Sequence, residues 1–189
     1  MCSLKINTER LLIRRIENKD KLNLFEIMSD RETASDDGFT PYQDMTEKYE
    51  VDFKYLLLDE MHYAIESKEY HKVIGIMHLT EKTKKAVMRY EIGYDINPAF
   101  RRKGYATEAV KAIIDYCFNV INIELMTASV YSWNIKSSNM LKKIGFIQKE
   151  KIYKAKHVRF GQVNMLSFYK KNNSIKKSKI EGNISQNTL

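Results

Sequence analysis

The chain has 189 residues with 43% hydrophobic and 11% aromatic content, enough for one substantial core, and no stretch nears the ~18 consecutive apolar residues of a membrane span. Its formal net charge of +8 is unevenly placed: residues 30–60 hold ten acids against three bases, so the remainder carries a large positive excess. Charge divided in this way argues for two ligands of opposite sign and against a single nucleic-acid face, although a solvated acidic loop and helix would leave the same trace. Cys2 and Cys117 make neither a disulfide framework nor a thiolate metal site, and His62, His71, His78 and His157 lack ligand spacing. The first residues, MCSLKINTER, hold no apolar signal region, so the expectation is a reduced, cytoplasmic protein with no metal, membrane or nucleic-acid partner.

In chain order, TERLLIRRI (residues 8–16) reads as a first strand. A helix follows in NKDKLNLFEIMSD, with Asn18 as N-cap and Leu22, Phe25 and Met28 on its buried face. Gly38 and Pro41 mark a loop in the acidic segment, and a second helix is expected over residues 46–58. HYAIES, KVIGIMHLTE and AVMRYEIGYDIN read as three consecutive antiparallel strands, the last ended by Asn97-Pro98. A helix from residue 107 to about 120 places Ala109, Ile113, Tyr116, Cys117 and Val120 on one stripe. ELMTASVYS is a strand, and NIKSSNMLKKIGF a shorter helix with Met140, Leu141 and Ile144 inward and Gly145 closing it. FIQKEKIYKA and QVNMLSFYK complete the core as two strands. Strand–helix–strand units in the second half demand at least one parallel pairing, so the fold class is α+β with a mixed, mostly antiparallel sheet flanked by helices. Residues 1–169 form one domain, and 170–189 a basic tail whose composition predicts disorder.

The stretch INPAFRRKGYATEA sets Arg101, Arg102 and Lys103 at a helix start, where the helix dipole is already positive. A bound anion removes that conflict, because free N–H groups at a helix N-terminus form an anion site. Gly104 lets a ligand approach the backbone closely, and Ala106 keeps the neighbouring wall small. No G-x-G-x-x-G or G-K-[ST] pattern is present, which sets aside dinucleotide and Walker loops.

YEIGYDINPAFRRKGYATEA resembles the acetyl-coenzyme A loop of GNAT-type N-acetyltransferases, (Gln/Arg)-x-x-Gly-x-(Gly/Ala), with Arg101, Gly104 and Ala106 at its fixed positions. The following Ala-Thr-Glu-Ala, together with Asn134, Ser137, Gly145 and Phe146 in NIKSSNMLKKIGF, is similar to the branch containing the ribosomal-protein N-terminal alanine and serine acetyltransferases. The resemblance runs over about residues 8–169. It implies a GNAT-like sheet with a splayed central strand pair. It implies that acetyl-coenzyme A, as co-substrate, lays its pyrophosphate on Arg101, Arg102, Lys103, Gly104, Tyr105 and Ala106, with Asn134 beside the pantetheine arm or simply capping a helix.

The implied reaction moves an acetyl group to a primary amine, either a protein N-terminus or a small cationic amine, in a monomer or homodimer. An alkylammonium must first lose a proton, and Glu91, mid-strand beside the slot, is the expected base; its alternative reading is an exposed residue paired with Arg89 or a lysine. The tyrosine that many GNAT enzymes place four residues before the glycine is Leu141 here, so the leaving thiolate's proton is assigned to Ser137, with Tyr94 and Tyr131 as alternatives. That departure also keeps open a non-catalytic acyl-coenzyme A-binding or regulatory protein. The acidic segment becomes the acceptor wall, with Asp36, Asp37, Phe39 and Tyr42 as substrate contacts and Asp44, Tyr49 and Glu50 as further candidates. An RNA-binding reading is weakest, since no stacking aromatics interleave the basic residues and the acidic segment repels phosphate.

Overall fold

The computed structural model describes residues 4–83 and 87–175. The chain opens with β1 (Ile6–Asn7), β2 (Leu11–Arg15), α1 (Lys21–Met28), α2 (Arg31–Asp37) and α3 (Glu47–Leu58). Next come β3 (His62–Ser67), β4 (Lys72–Glu81), β5 (Arg89–Ile96), α4 (Tyr105–Asn119) and β6 (Leu125–Tyr131). The last elements are α5 (Ile135–Lys143), β7 (Ile147–Gln148), β8 (Tyr153–His157) and β9 (Gly161–Lys171). β1 to β5 pair antiparallel in sequence order, β5 pairs parallel with β6, and β6 pairs antiparallel with β9, which also carries β7 and β8. The expected mixed α+β sheet with one parallel junction is the observed architecture.

That junction is short. Its register comprises Arg89↔Leu125, Tyr90↔Met126 and Glu91↔Thr127, after which the two strands part. α4, the crossover that a parallel pair requires, buries Ala109, Ile113 and Cys117 against one sheet face together with Leu141 and Ile144 of α5. α1 and α3 cover the other face, where Leu24, Ile27, Tyr49, Phe53 and Leu56 meet Ala64 and Val73.

Several expectations need correction. The first helix buries Leu24 and Ile27 and leaves Leu22 59% exposed. The cause is a 3₁₀ turn at Asn18–Asp20, where the Asp20 carboxylate takes both terminal nitrogens of Arg14 (2.7 and 2.9 Å) and fixes the rotation of α1. Val120, expected inward, is 66% exposed because the helix ends at Asn119. α2 is a helix beyond the two expected before β3, running into the loop marked by Gly38: Asp30 caps it through the Thr33 N–H at 2.8 Å, and Gly38 ends it at φ 79°. FIQKEKIYKA is split between two strands, β7 and β8, which pair with successive stretches of β9 on the edge away from β6. The domain boundary at 169 falls inside β9: Lys170 pairs with Met126, and the buried Asn172 amide donates to Phe118 O and Ile123 O. Residues 176–189 of the expected tail lie outside the described residues.

Arg14 also donates Nε to Glu66 at 2.7 Å, so the Asp20–Arg14–Glu66 set joins α1 to β2 and β3 with Arg14 and Asp20 side chains only 8% and 2% exposed. Removing one partner strands a buried charge, so Asp20→Ala is expected to lower unfolding free energy by about 3–5 kcal/mol in urea titration.

Candidate active site

The bonded pairs at the two ends of the β4–β5 ladder are Lys82 N–H to Arg89 O (2.7 Å) and Asn97 N–H to Ile74 O (2.8 Å). Antiparallel alternation therefore points the backbone groups of Glu91, Gly93 and Asp95 at β4, and those of Ile92 and Tyr94 toward β6. β6 has already parted at Glu91↔Thr127. In a parallel ladder that last rung is closed through the N–H of Ile92 on Thr127, so the Tyr94 N–H is the first donor of this edge to face the wedge between the strands. A cavity of about 660 Å³ fills this wedge, lined by residues of β5, by Ala128, Ser129 and Val130 of β6, by Asp36 and Asp37 of α2, and by Asn134 and Ser137 of α5. Side chains alternate in the opposite sense: Ile92 joins the core under α4, while Glu91, Gly93 and Asp95 face the side of α1 to α3.

At one end of the cavity stands the start of α4. Asn97 caps a 3₁₀ turn, Arg102 takes φ 62°, and Gly104 at φ 85° is the N-cap of α4 without a side chain to occupy its first N–H groups. The first intrahelical bond is Glu108 N–H to Gly104 O, leaving the N–H groups of Tyr105, Ala106 and Thr107 free of the helix, and all three residues line the cavity. Glu108 secures this end by accepting from Thr8 Oγ1 (2.6 Å), Arg10 N–H (2.9 Å) and Arg10 Nε (2.7 Å). Burial alone would raise its carboxyl; these donors outweigh it and hold the group below its ordinary value.

The three cations of the loop divide their work. Arg102 lines the cavity. Lys103 turns away, its ammonium 5.4 Å from the Phe100 ring centroid and 5.8 Å from that of Tyr70. Arg101, though at the cavity edge, makes four hydrogen bonds within the protein: to Ile96 O (3.0 Å), Glu32 (2.6 Å), Asp30 (2.8 Å) and Thr33 Oγ1 (2.6 Å). Lys136 of α5 takes the other oxygen of Glu32 at 2.5 Å. The side chain of Arg101, expected at phosphate by its place in the motif, here ties the loop before α4 to α2. Tyr105 is buried at 4% beneath Arg10, so its contribution to the cavity is its backbone. Asn134 accepts Ser137 N–H at 3.0 Å as the cap of α5 and lines the cavity as well.

Tyr94 OH and Ser137 Oγ lie 2.7 Å apart, joining two of the proton-donor candidates, while Leu141 is fully buried. Burial drives the Tyr94 phenol far above its ordinary value against the opposing hydrogen bond of Ser137, so it stays protonated. Glu91 sits at the last parallel rung, half-buried, with Ser129 Oγ 3.4 Å from its carboxylate, and the cavity lining begins one residue beyond it at Ile92. Asp95, which sequence reasoning passed over, lies within the lining. Burial, then the charge and hydrogen bond of Asp37, push its carboxyl well above the usual range. Burial and then Glu32 and Asp37 raise the Asp36 carboxyl, with the Trp133 indole hydrogen bond opposing them.

Asp36 and Asp37 therefore reach the cleft, but Phe39 and Tyr42 do not line it. Gly38 turns the chain away under Tyr131, leaving no room for a Cβ (2.4 Å to the Tyr131 oxygen), and Tyr42 instead bonds to Asp52 and packs edge-on against Tyr49. Sequence reading also missed an aromatic group beside Asp36. The ring centroids of Tyr131 and Trp133 stack at 4.7 Å, and His157 and Phe160 at 4.7 Å, with His157 edge-on to both of the former. His157 Nδ1 accepts the N–H of Arg159 and Phe160, so its Nε2 proton goes to Ser35 O at 3.0 Å, a second tie on α2. Its members come from β6, the β6–α5 turn and the β8–β9 hairpin, and no local periodicity joins them. Among the described residues no group of three or more His, Cys, Asp or Glu is placed to hold a metal, and no helix is long and apolar enough to cross a membrane.

Comparison with known proteins agrees with this geometry. The family model described as the acetyltransferase (GNAT) domain matches residues 10–147. The uncharacterized N-acetyltransferase YnaD of Bacillus subtilis (strain 168) is 33% identical over 164 residues, covering 80% of this chain and 86% of its own. The structure of ribosomal-protein-S5-alanine acetyltransferase from Vibrio fischeri superposes with TM-score 0.70 at 20% identity, covering 90% of this chain and 97% of that one. Spermidine N-acetyltransferase from Vibrio cholerae, in complex with CoA and spermine, gives TM-score 0.73 at 19% identity, covering 87% and 97%.

The latch at Arg101 has a measurable consequence. Arg101→Met removes the cation that holds Asp30 and Glu32 together, with an expected loss of about 2 kcal/mol in denaturant titration. Amide exchange should accelerate in α2 and remain unchanged in α4.

Proposed function

The chain belongs to the GNAT acetyltransferase family, which makes it an N-acetyltransferase, and we propose that it carries acetyl from acetyl-coenzyme A directly to a primary amine bearing further positive charge. The observation that carries this reading is the wedge itself. It runs from the open N-terminus of α4, past the inward N–H groups of β5, to the carboxylates of α2. The pyrophosphate belongs on the N–H groups of Tyr105, Ala106 and Thr107, where the helix dipole favours negative charge, with Arg102 adding an opposite charge. The pantetheine arm then lies between β5 and β6, and the Tyr94 N–H donates to the thioester oxygen as negative charge develops there.

Attack needs a neutral amine nitrogen, hence a carboxylate to take its proton. The β5 face toward α2 offers Glu91 at the wedge apex and Asp95 further along. The departing sulfur is met by the Tyr94–Ser137 hydroxyl pair, which can relay a proton to it. An acceptor with several charges is supported by the net charge of residues 30–60, three bases against ten acids, and by the exposed Trp133 and Phe160 rings beside Asp36. A polyamine and a basic peptide N-terminus both fit that chemistry, in line with the spermine seen in the Vibrio cholerae relative's structure.

The test is thiol release from acetyl-coenzyme A across spermidine, an aminoglycoside, short peptides and neutral amines. Polycationic acceptors should show the highest kcat/KM, falling as salt rises; equal values for neutral amines without salt dependence would remove the cationic acceptor. Gly104→Val places a β-branched residue at φ 85° and should weaken acetyl-coenzyme A binding about tenfold or more by calorimetry. Unchanged affinity would displace the cofactor from this loop.

A further inference from the structure

The side of the wedge facing α2 holds carboxylates that the fold keeps close together. Asp95 projects from β5 into the cavity, α2 brings Asp37 within hydrogen-bonding reach of it, and Asp36 stands beside them. α2 is not free to relax from this position. Its start is held by Arg101 and, through Glu32, by Lys136, and its end by the His157 bond to Ser35 O. Arg101 lowers the Asp95 carboxyl by its charge, but burial and Asp37 outweigh it, and its donors already go to Ile96 O, Asp30, Glu32 and Thr33. The remaining groups around Asp95 do not neutralise the pair either. Tyr131 of β6 lies toward Asp37, His78 of β4 covers Gly93 one step along the strand, and Tyr94 is bonded to Ser137.

We propose that Asp95 is the catalytic base of the acetyl transfer and that Asp37 is the positioning residue that sets its basicity, an assignment that rests on the amine-acetylating reading above. An ammonium R–NH₃⁺ entering from the acidic side gives one proton to the Asp95 carboxylate. The freed nitrogen lone pair forms the N–C bond to the thioester carbon, the C–S bond breaks with its electron pair leaving on sulfur, and a second nitrogen proton ends on that sulfur. The proton on Asp95 then leaves to water, so amide, thiol and one released proton account for every atom and charge.

Position separates Asp95 from Glu91. Four strand residues span about 13 Å, so the two carboxylates cannot serve the same nitrogen. Asp95 lines the cavity opposite the carboxylates that attract the amine, whereas Glu91 sits outside that lining. Two adjacent carboxyls that resist joint ionisation hold a proton near neutral pH more readily than an isolated one, which suits a base whose task is to take and release a proton there.

The experiment is the pH profile of kcat/KM for the best acceptor, in wild type, Asp95→Asn and Asp37→Asn. Wild type should show an acid limb that rises as the pair loses its proton. Asp37→Asn removes the like charge, so the Asp95 pKa falls and the limb should move to lower pH, while the plateau kcat/KM drops with the loss of one carboxylate that attracts the amine. Asp95→Asn should lower kcat by about 10²–10⁴-fold, with acetyl-coenzyme A affinity unchanged by calorimetry. Carbon-13 NMR of Asp-labelled protein reads the pair without turnover. One Asp carboxyl should titrate well above the rest, vanish in Asp95→Asn and shift down in Asp37→Asn. A limb that ignores Asp37→Asn but moves in Glu91→Gln returns the base to Glu91 and overturns the proposal, as does an Asp95→Asn enzyme retaining more than about a tenth of wild-type kcat. Failure of wild type to acetylate any amine overturns the parent reading, and this assignment with it.

Discussion

The structure depends on the early end of one β-ladder. β5 and β6 pair over a register of three positions and then separate, in the middle of a sheet where continued pairing would satisfy every backbone group. Polar groups left inside a protein are costly, so a gap persists only where something replaces the missing strand contacts. Outward, each strand is held by a long antiparallel neighbour, β4 for β5 and β9 for β6, which keeps both straight through the region where they part. The gap is therefore a slot into which the sheet leaves backbone groups open, and in the proposed reaction the donor's amide arm would take them up.

Helices then give the slot two ends of opposite character. α4 reaches it with uncapped N–H groups because its cap is a glycine in the left-handed region, and Glu108 fixes that end to the β1–β2 turn through Thr8 and Arg10. α2 reaches the other end carrying Asp36 and Asp37. It is a short helix that buries little apart from Thr33 and Ala34. Its place is set by polar ties: Arg101 from the phosphate loop, Lys136 from α5 and His157 from the β8–β9 hairpin. Three elements distant in sequence converge on one acidic helix, and each of them also borders the slot or the aromatic group beside it.

Much of this was legible from residues alone, for physical reasons that also explain where legibility stopped. Alternation and helical periodicity report burial, so the strands, α4, α5 and the parallel junction could be read. The phosphate loop could be read because its glycine and its helix start are local features. α2 could not, since RETASDD has little apolar periodicity and its helicity comes from Asp30 at one end and Gly38 at the other. Asp95 escaped notice because the sequence shows it only as a polar residue in a strand; its significance lies in Asp37, distant along the chain and brought opposite by α2. Phe39 and Tyr42 were assigned to the cleft by region, and Gly38 turns the chain away from it.

The fate of Arg101 links these observations. Its charge lowers the Asp95 carboxyl, an effect that burial and Asp37 outweigh, while its donors are spent on Ile96 O, Asp30, Glu32 and Thr33. Ion-paired with Asp30 and Glu32, the guanidinium stands at the boundary between the two ends of the slot. The positive field of the α4 terminus and the negative field of Asp36, Asp37 and Asp95 then remain separate. On the proposed reading, a polyanionic donor and a polycationic acceptor would enter one cavity from opposite sides and meet where the thioester and the amine react. The uneven charge along the sequence is the one-dimensional trace of that separation.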